Sequence, residues 1–197
     1  MKIGVFGGSF NPPHKMHKKI AKNLIKAGYI DKVIFVPTGT KYEYKSNLIS
    51  NEQRINMLSL MIEKEKNMEI SSYEAKQKLV HTYETLNYFT KKYKNDEIYF
   101  ICGSDNLSYI DKWYKGAEIL KNYKILVIKR KPDKIKQLLE KYNKYKTNII
   151  VTKIAKKKIS STKIRTYLKQ NNTLKIRLHI DKKVLNYIKK NKLYESI

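Results

Sequence analysis

The sequence has 197 residues, 41% of them hydrophobic, and a formal net charge of +26. That is enough apolar chain to bury a core, which excludes a disordered polyelectrolyte, and no apolar run approaches the length of a membrane span. The first run, IGVF, is too short for a secretory signal, and a single cysteine, Cys102, leaves no internal disulfide, so a cytoplasmic location is expected.

In chain order, KIGVF (2–6) reads as a strand, followed by an amphipathic helix over 14–27 through Met16, Ile20, Leu24 and Ile25. Gly28 supplies a helix stop. KVIFVP (32–37) is a second strand, and Ser50 with Gln53 signals a helix start for residues 51–66. A third strand is expected near 68–72, a helix over 81–94, and then the almost uninterrupted apolar strand EIYFIC (97–102). Short helical pieces span 104–121, before KILVIK (124–129), a helix near 133–145 and a strand at NIIVT (148–152). Two helices, over 160–170 and 181–190, close the pattern. Nearly continuous β-branched strands alternating with helices indicate an α/β fold: a Rossmann-like, doubly wound parallel sheet with a small C-terminal helical part over about 156–197. No internal repeat or Gly/Ser/Pro-rich linker divides the sequence, so one domain over 1–197 is expected. The longest stretch without an element is 37–50, a functional-loop candidate.

In such a sheet, with the expected order 3-2-1-4-5, ligands bind at the carboxyl ends of the strands where the order reverses, between strands 1 and 4. Strand 1 runs into GGSFNPPH and strand 4 into CGSDNLSYIDKW, so the two segments richest in special residues meet there. Gly7 and Gly8 let backbone N–H groups approach an anion, although their spacing is not the dinucleotide G-x-G-x-x-G. Pro12 and Pro13 prepare a helix start. His14 and His17, three apart, fall on one face of that helix near its N-terminus, where the dipole favours negative charge. Zinc would need further ligands, and only His81, His179 and Cys102 remain, without a second close pair, so no metal ligands are assigned. In KKKISSTKIR, Ser160, Ser161 and Thr162 read equally as a helix cap and, with Arg165 one turn on, as a second anion site.

The charge itself is diffuse. Arginine stands only at Arg54, Arg130, Arg165 and Arg177, every other basic residue being lysine, and Lys, Asn, Ile and Tyr are frequent throughout. This is the composition an AT-rich coding sequence gives solvated surfaces, which makes the few arginines, with their bidentate fork, the informative cations. A basic nucleic-acid-binding module is the competing reading of +26 and sixteen tyrosines. It leaves the glycine-proline-histidine loop unexplained, so no stable nucleic-acid partner is expected.

GGSFNPPHKMH resembles the [H/T]-x-G-H signature of the nucleotidyltransferase superfamily, and ISSTKIR resembles its second signature. With GSDNLSYIDKW between them, the chain is similar to nicotinate or nicotinamide mononucleotide adenylyltransferases along nearly its whole length, VPTGTKYEYK, HTYETL, VIKRKP and VLNYIKKNKLY following in family order. The resemblance implies that the phosphate of a pyridine mononucleotide attacks the α-phosphorus of ATP and expels pyrophosphate, assisted by Mg2+. By the same resemblance His14, His17 and Arg165 act on the phosphates, with Ser161 and Thr162 holding the β- and γ-groups. Gly7, Gly8, Ser9 and Phe10 line the ATP site, with Gly103 and Asp105 on the adenosine side. Trp113 stacks on the pyridine ring, Tyr114 and Thr82 contact its substituent, and Lys45 is the counterpart of a basic residue for the mononucleotide phosphate. Four departures stand out: Met16 replaces the signature glycine, Asn11 a frequent Asp, KYEYK a proline-proline-histidine-basic run, and HTYETL a serine-tyrosine-threonine start. Thr82 in place of a second tryptophan favours nicotinate over nicotinamide mononucleotide as acceptor. A different adenylyltransferase of the superfamily is the neighbouring reading. The oligomeric state is left open, a homo-oligomer included.

Overall fold

The computed structural model describes residues 1–39, 48–77, 79–130, 132, 134–155 and 159–195. Its centre is a parallel sheet of six strands: β1 (Lys2–Gly8), β2 (Lys32–Pro37), β3 (Met68–Ile70), β4 (Glu97–Gly103), β5 (Lys124–Lys129) and β6 (Ile149–Ala155), in the order β3-β2-β1-β4-β5-β6. The expected order is thus present, extended by one edge strand, and it reverses between β1 and β4.

Helices cover both faces, and the strand side chains divide strictly between them. Val33, Phe35, Tyr99, Ile101, Leu126 and Ile128 face one cluster, while Ile34, Val36, Ile98, Phe100, Cys102, Ile125 and Val127 face the other. This period-2 division, apolar on both sides, is why the strands read as continuous hydrophobic runs. The first cluster packs on α1 (Lys15–Lys26), α2 (Asn51–Ile62), α7 (Ser161–Lys169), α8 (Thr173–His179) and α9 (Lys182–Lys190). The second packs on α3 (Thr82–Lys92), α4 (Ser104–Leu107), α5 (Gly116–Asn122) and α6 (Ile135–Lys141).

Local signals act where expected. The Ser50 hydroxyl accepts from the Gln53 amide and starts α2. Gly28 takes φ +71 just past α1, a conformation that costs residues with a Cβ. Several elements are shorter than expected: α2 ends at Ile62, β3 at Ile70, and the helix near 133–145 is α6 followed by a short 3₁₀ turn over Asn143–Tyr145. Among the described residues the C-terminal part holds three helices rather than two, α8 being the addition. Among the described residues no helix is long and apolar enough to cross a membrane.

The register places the site. β1 pairs with β4 so that Val5 opposes Phe100, and three residues further along each strand lie Gly8 and Gly103. The loops after β1 and β4 therefore leave the sheet side by side, at the switch point of the strand order.

Candidate active site

Beyond Gly8 the chain makes a tight turn before α1. Phe10 has φ +47, in the left-handed region that a bulky residue seldom occupies, and its ring is 2% exposed. Aromatic contacts hold it there, edge-on to Phe6, Phe35 and His17 at centroid separations of 6.0, 5.6 and 5.0 Å. The Phe10 ring is thus packed into the core beneath the turn, close against Gly8 at the end of β1. A Cβ added at Gly7 would meet nothing within 4 Å, so the chain presents open backbone to an incoming ligand at that point.

His14 is the N-cap of α1, not its first turn: its backbone is extended (φ −141°, ψ 162°), and its amide donates to Nδ1 of His17 at 3.2 Å. The two imidazoles still meet, stacked at 3.6 Å with 12° between their planes. The His14 ring thus lies over that of His17 from the cap position rather than from within the helix. Met16, in the position of the signature glycine, packs against the core cluster beneath α1.

The second segment reaches the same turn. Ser160 is the cap of α7, accepting from the Lys163 amide at 3.3 Å. The Ser161 hydroxyl donates to the Pro12 carbonyl at 2.9 Å, and Nη1 of Arg165 donates to the Asn11 carbonyl at 2.8 Å, with Thr162 Oγ1 at 3.5 Å from Nη2. The serine cluster therefore divides its work between capping and tethering. The N-termini of α1 and α7 converge on one turn, two sets of backbone N–H groups and dipoles at the same place.

Across the switch point, Asp105 pairs with Arg130, which follows β5, and the pair sits where a side chain at position 103 would project. A Cβ at position 103 would displace this ion pair from its present place. Trp113 is half-buried, edge-on to Phe100 at 6.1 Å. Tyr114 is exposed and lies against His81, the N-cap of α3, at 4.8 Å, which brings Thr82 alongside it. Lys115 Nζ stands over the Tyr83 and Tyr114 rings at 4.8 and 5.6 Å. Lys45 and most of the 37–50 loop lie outside the described residues. A cavity of about 380 Å3 runs along the β3 edge, lined by Ser71, Tyr73, Tyr88 and Lys92, and contains none of these residues.

Two residues assigned no role from the sequence hold the turn from below. Arg54 is fully buried, donating to the carbonyls of Ser9 (2.7 Å) and Ile49 (3.3 Å), and also to the Thr38 carbonyl (2.5 Å) and Asn51 Oδ1. Burial lowers its pKa from the ordinary arginine range, but a guanidinium keeps its proton. The signal was present in the sequence: Arg54 shares the i, i+3, i+4, i+7 face of Met57, Leu58 and Met61. The second is Tyr194, whose hydroxyl donates to Asn11 Oδ1 at 2.9 Å. Cys102 offers no nucleophile, since burial pushes its thiol up to about 12. Among the described residues no three His, Cys, Asp or Glu side chains gather to hold a metal ion.

A cytidylyltransferase-like family model matches residues 5–167, the span from β1 into α7. A protein of Caldicellulosiruptor bescii named probable nicotinate-nucleotide adenylyltransferase is 38% identical, over 99% of this chain and all of that one. The chain belongs to the nicotinate-nucleotide adenylyltransferase family. A Clostridium tetani family member with the same name is 35% identical over 98% of each chain. The family fold is equally plain: the Plasmodium falciparum nicotinic acid mononucleotide adenylyltransferase complexed with NaAD superposes with a TM-score of 0.84 at 24% identity, covering 98% of this chain and 97% of that one.

Proposed function

We propose that this nucleotidyltransferase moves the adenylyl group of ATP to nicotinate mononucleotide, forming nicotinate adenine dinucleotide and pyrophosphate for NAD synthesis. The observation that carries the reading is the convergence of the stacked His14–His17 pair and the α7 N-terminus on one turn at the switch point.

The chemistry needs no covalent intermediate. A phosphate oxygen of the mononucleotide attacks the α-phosphorus of ATP, and the bond to the bridging oxygen of the β-phosphate breaks, its electron pair leaving with pyrophosphate. The chain's part is to align the two phosphates and to stabilise charge developing on the α-phosphoryl and the leaving group. His17 and His14 serve the α-phosphoryl oxygens. Thr162, Arg165 and the free N–H groups of α7 serve the β- and γ-phosphates. Ser161 donates its hydroxyl hydrogen to Pro12, so it acts on the triphosphate through its backbone amide. Mg2+ enters as the chelate of the triphosphate, part of the substrate, and supplies charge neutralisation; such an ion draws most of its ligands from phosphate and water. Gly103 and Asp105 face the adenosine, and Trp113 stacks on the pyridine.

The acceptor end favours the acid over the amide. Lys115 adds positive charge beside Tyr114 and the α3 N-terminus with Thr82, and a ring carboxylate gains from a cation and a helix dipole what a neutral amide does not. A cytoplasmic location fits these substrates. The deciding assay measures pyrophosphate release from ATP and Mg2+ with nicotinate or nicotinamide mononucleotide. Nicotinate mononucleotide is expected to give the higher kcat/KM, and His17→Ala to lower kcat at least about 10²-fold while the protein stays folded. Undiminished turnover by that variant would remove His17 from the mechanism.

A further inference from the structure

The last described residues of the chain return to its first loop. Beyond α9 the backbone enters the left-handed region twice, at Lys192 (φ +48) and Tyr194 (φ +70). For a residue as bulky as tyrosine this is a strained conformation, kept only where surrounding contacts impose it. Here they do: Leu193 is 8% and Tyr194 3% exposed, both within the cluster under α1, α2 and α9. The strain has one visible result. It turns the phenol inward beneath the Ser9–Pro12 turn, with its hydroxyl on Asn11 Oδ1.

Asn11 is the node of that turn. Its side chain accepts from Tyr194 and its carbonyl accepts from Arg165, while the next carbonyl, of Pro12, accepts from Ser161. A hydrogen-bonded path therefore runs from the C-terminal segment through Asn11 to a residue assigned to the triphosphate. The turn it fixes is also the one that delivers His14 to the cap of α1. We infer that Tyr194 is a positioning residue for adenylyl transfer, setting through Asn11 the seat of Arg165 and the approach of His14 and His17 to ATP. It touches neither substrate. The inference rests on the adenylyl-transfer reading and adds a part of the chain, 192–194, to the machinery of that site.

Burial raises the phenol's pKa, so the group remains a donor throughout the working range. Removing only the oxygen, in Tyr194→Phe, keeps the ring packing and the backbone turn. The test uses the whole chain, with ATP and Mg2+ binding followed by calorimetry and turnover measured with nicotinate mononucleotide. Tyr194→Phe is expected to weaken ATP binding about fivefold and to lower kcat by a similar factor, with the KM for the mononucleotide within about twofold of wild type. Asn11→Ala should do the same, and the double variant no more than either single one, because both break one path. Wild-type ATP affinity and kcat in Tyr194→Phe would overturn the inference. So would a parallel loss of both substrates' affinities together with Tm, the behaviour of a loosened fold, or effects that multiply in the double variant. Failure of the wild type itself to bind ATP would instead overturn adenylyl transfer, and this inference with it.

Discussion

Arg54 shows how a charged residue can be structural at a site built for charge. It is one of only four arginines, yet its guanidinium is fully buried and spends its hydrogen bonds mainly on backbone carbonyls. Those carbonyls belong to the loop after β1, the loop after β2 and the segment before α2, three stretches with no ladder of their own to join. One planar fork satisfies all of them, which a lysine's compact ammonium does not. Arg54→Met is therefore expected to cost about 3 kcal/mol or more in urea unfolding, since several buried acceptors lose their donor at once. A cost under 1 kcal/mol would mean that water replaces the fork. His14, by contrast, was legible as a site residue, but its geometry was not: sequence spacing places it in a helical turn, and its extended backbone makes it the cap. Caps and helix interiors differ by one residue's dihedrals, which spacing alone does not encode.

At the scale of elements, strands and their order follow from the apolar runs, because a strand covered on both faces has a pattern no surface helix shares. The miss is α8. Leu174 and Leu178 lie 84% and 67% exposed while Ile176 is buried, so the helix presents its leucines to solvent and the expected apolar stripe is inverted. The start of α7 shows a different limit. A Ser-Ser-Thr run is ambiguous between cap and anion site, and the structure divides it by residue, Ser160 to the cap and Ser161 to the tether. Ser160→Ala is expected to destabilise the protein by about 1 kcal/mol, the usual value of a lost N-cap. Ser161→Ala should weaken ATP binding more than it lowers stability. Denaturant titration beside ATP calorimetry separates the two, and reversed effects would mean the assignments are exchanged.

Taken as a whole, the molecule is a strongly positive body with two anionic substrates. Most of its positive charge comes from lysine, whereas on the proposed reading the triphosphate is met by histidines, an arginine and helix termini. The surplus acts through its long-range field, which raises the local concentration of triphosphate without choosing among nucleotides. Raising KCl from 0.05 to 0.5 M is therefore expected to lower kcat/KM for ATP about tenfold while kcat stays nearly level, as screening removes steering and leaves the assembled site intact. An equal fall in kcat would show that surface charge enters the chemical step.

The tethers from Ser161, Arg165 and Tyr194 to the first loop span 149, 154 and 183 residues of sequence. Synthesis reaches the histidine loop long before Ser161, Arg165 and Tyr194. A nascent chain halted before α7 therefore has strands to pair but lacks the three side chains that tether the histidine loop. Contacts so distant in sequence also carry a heavy loop-closure cost, which places the completion of the site late in folding. The proposed ATP site is therefore expected to form only once α7 and residue 194 have been made and docked.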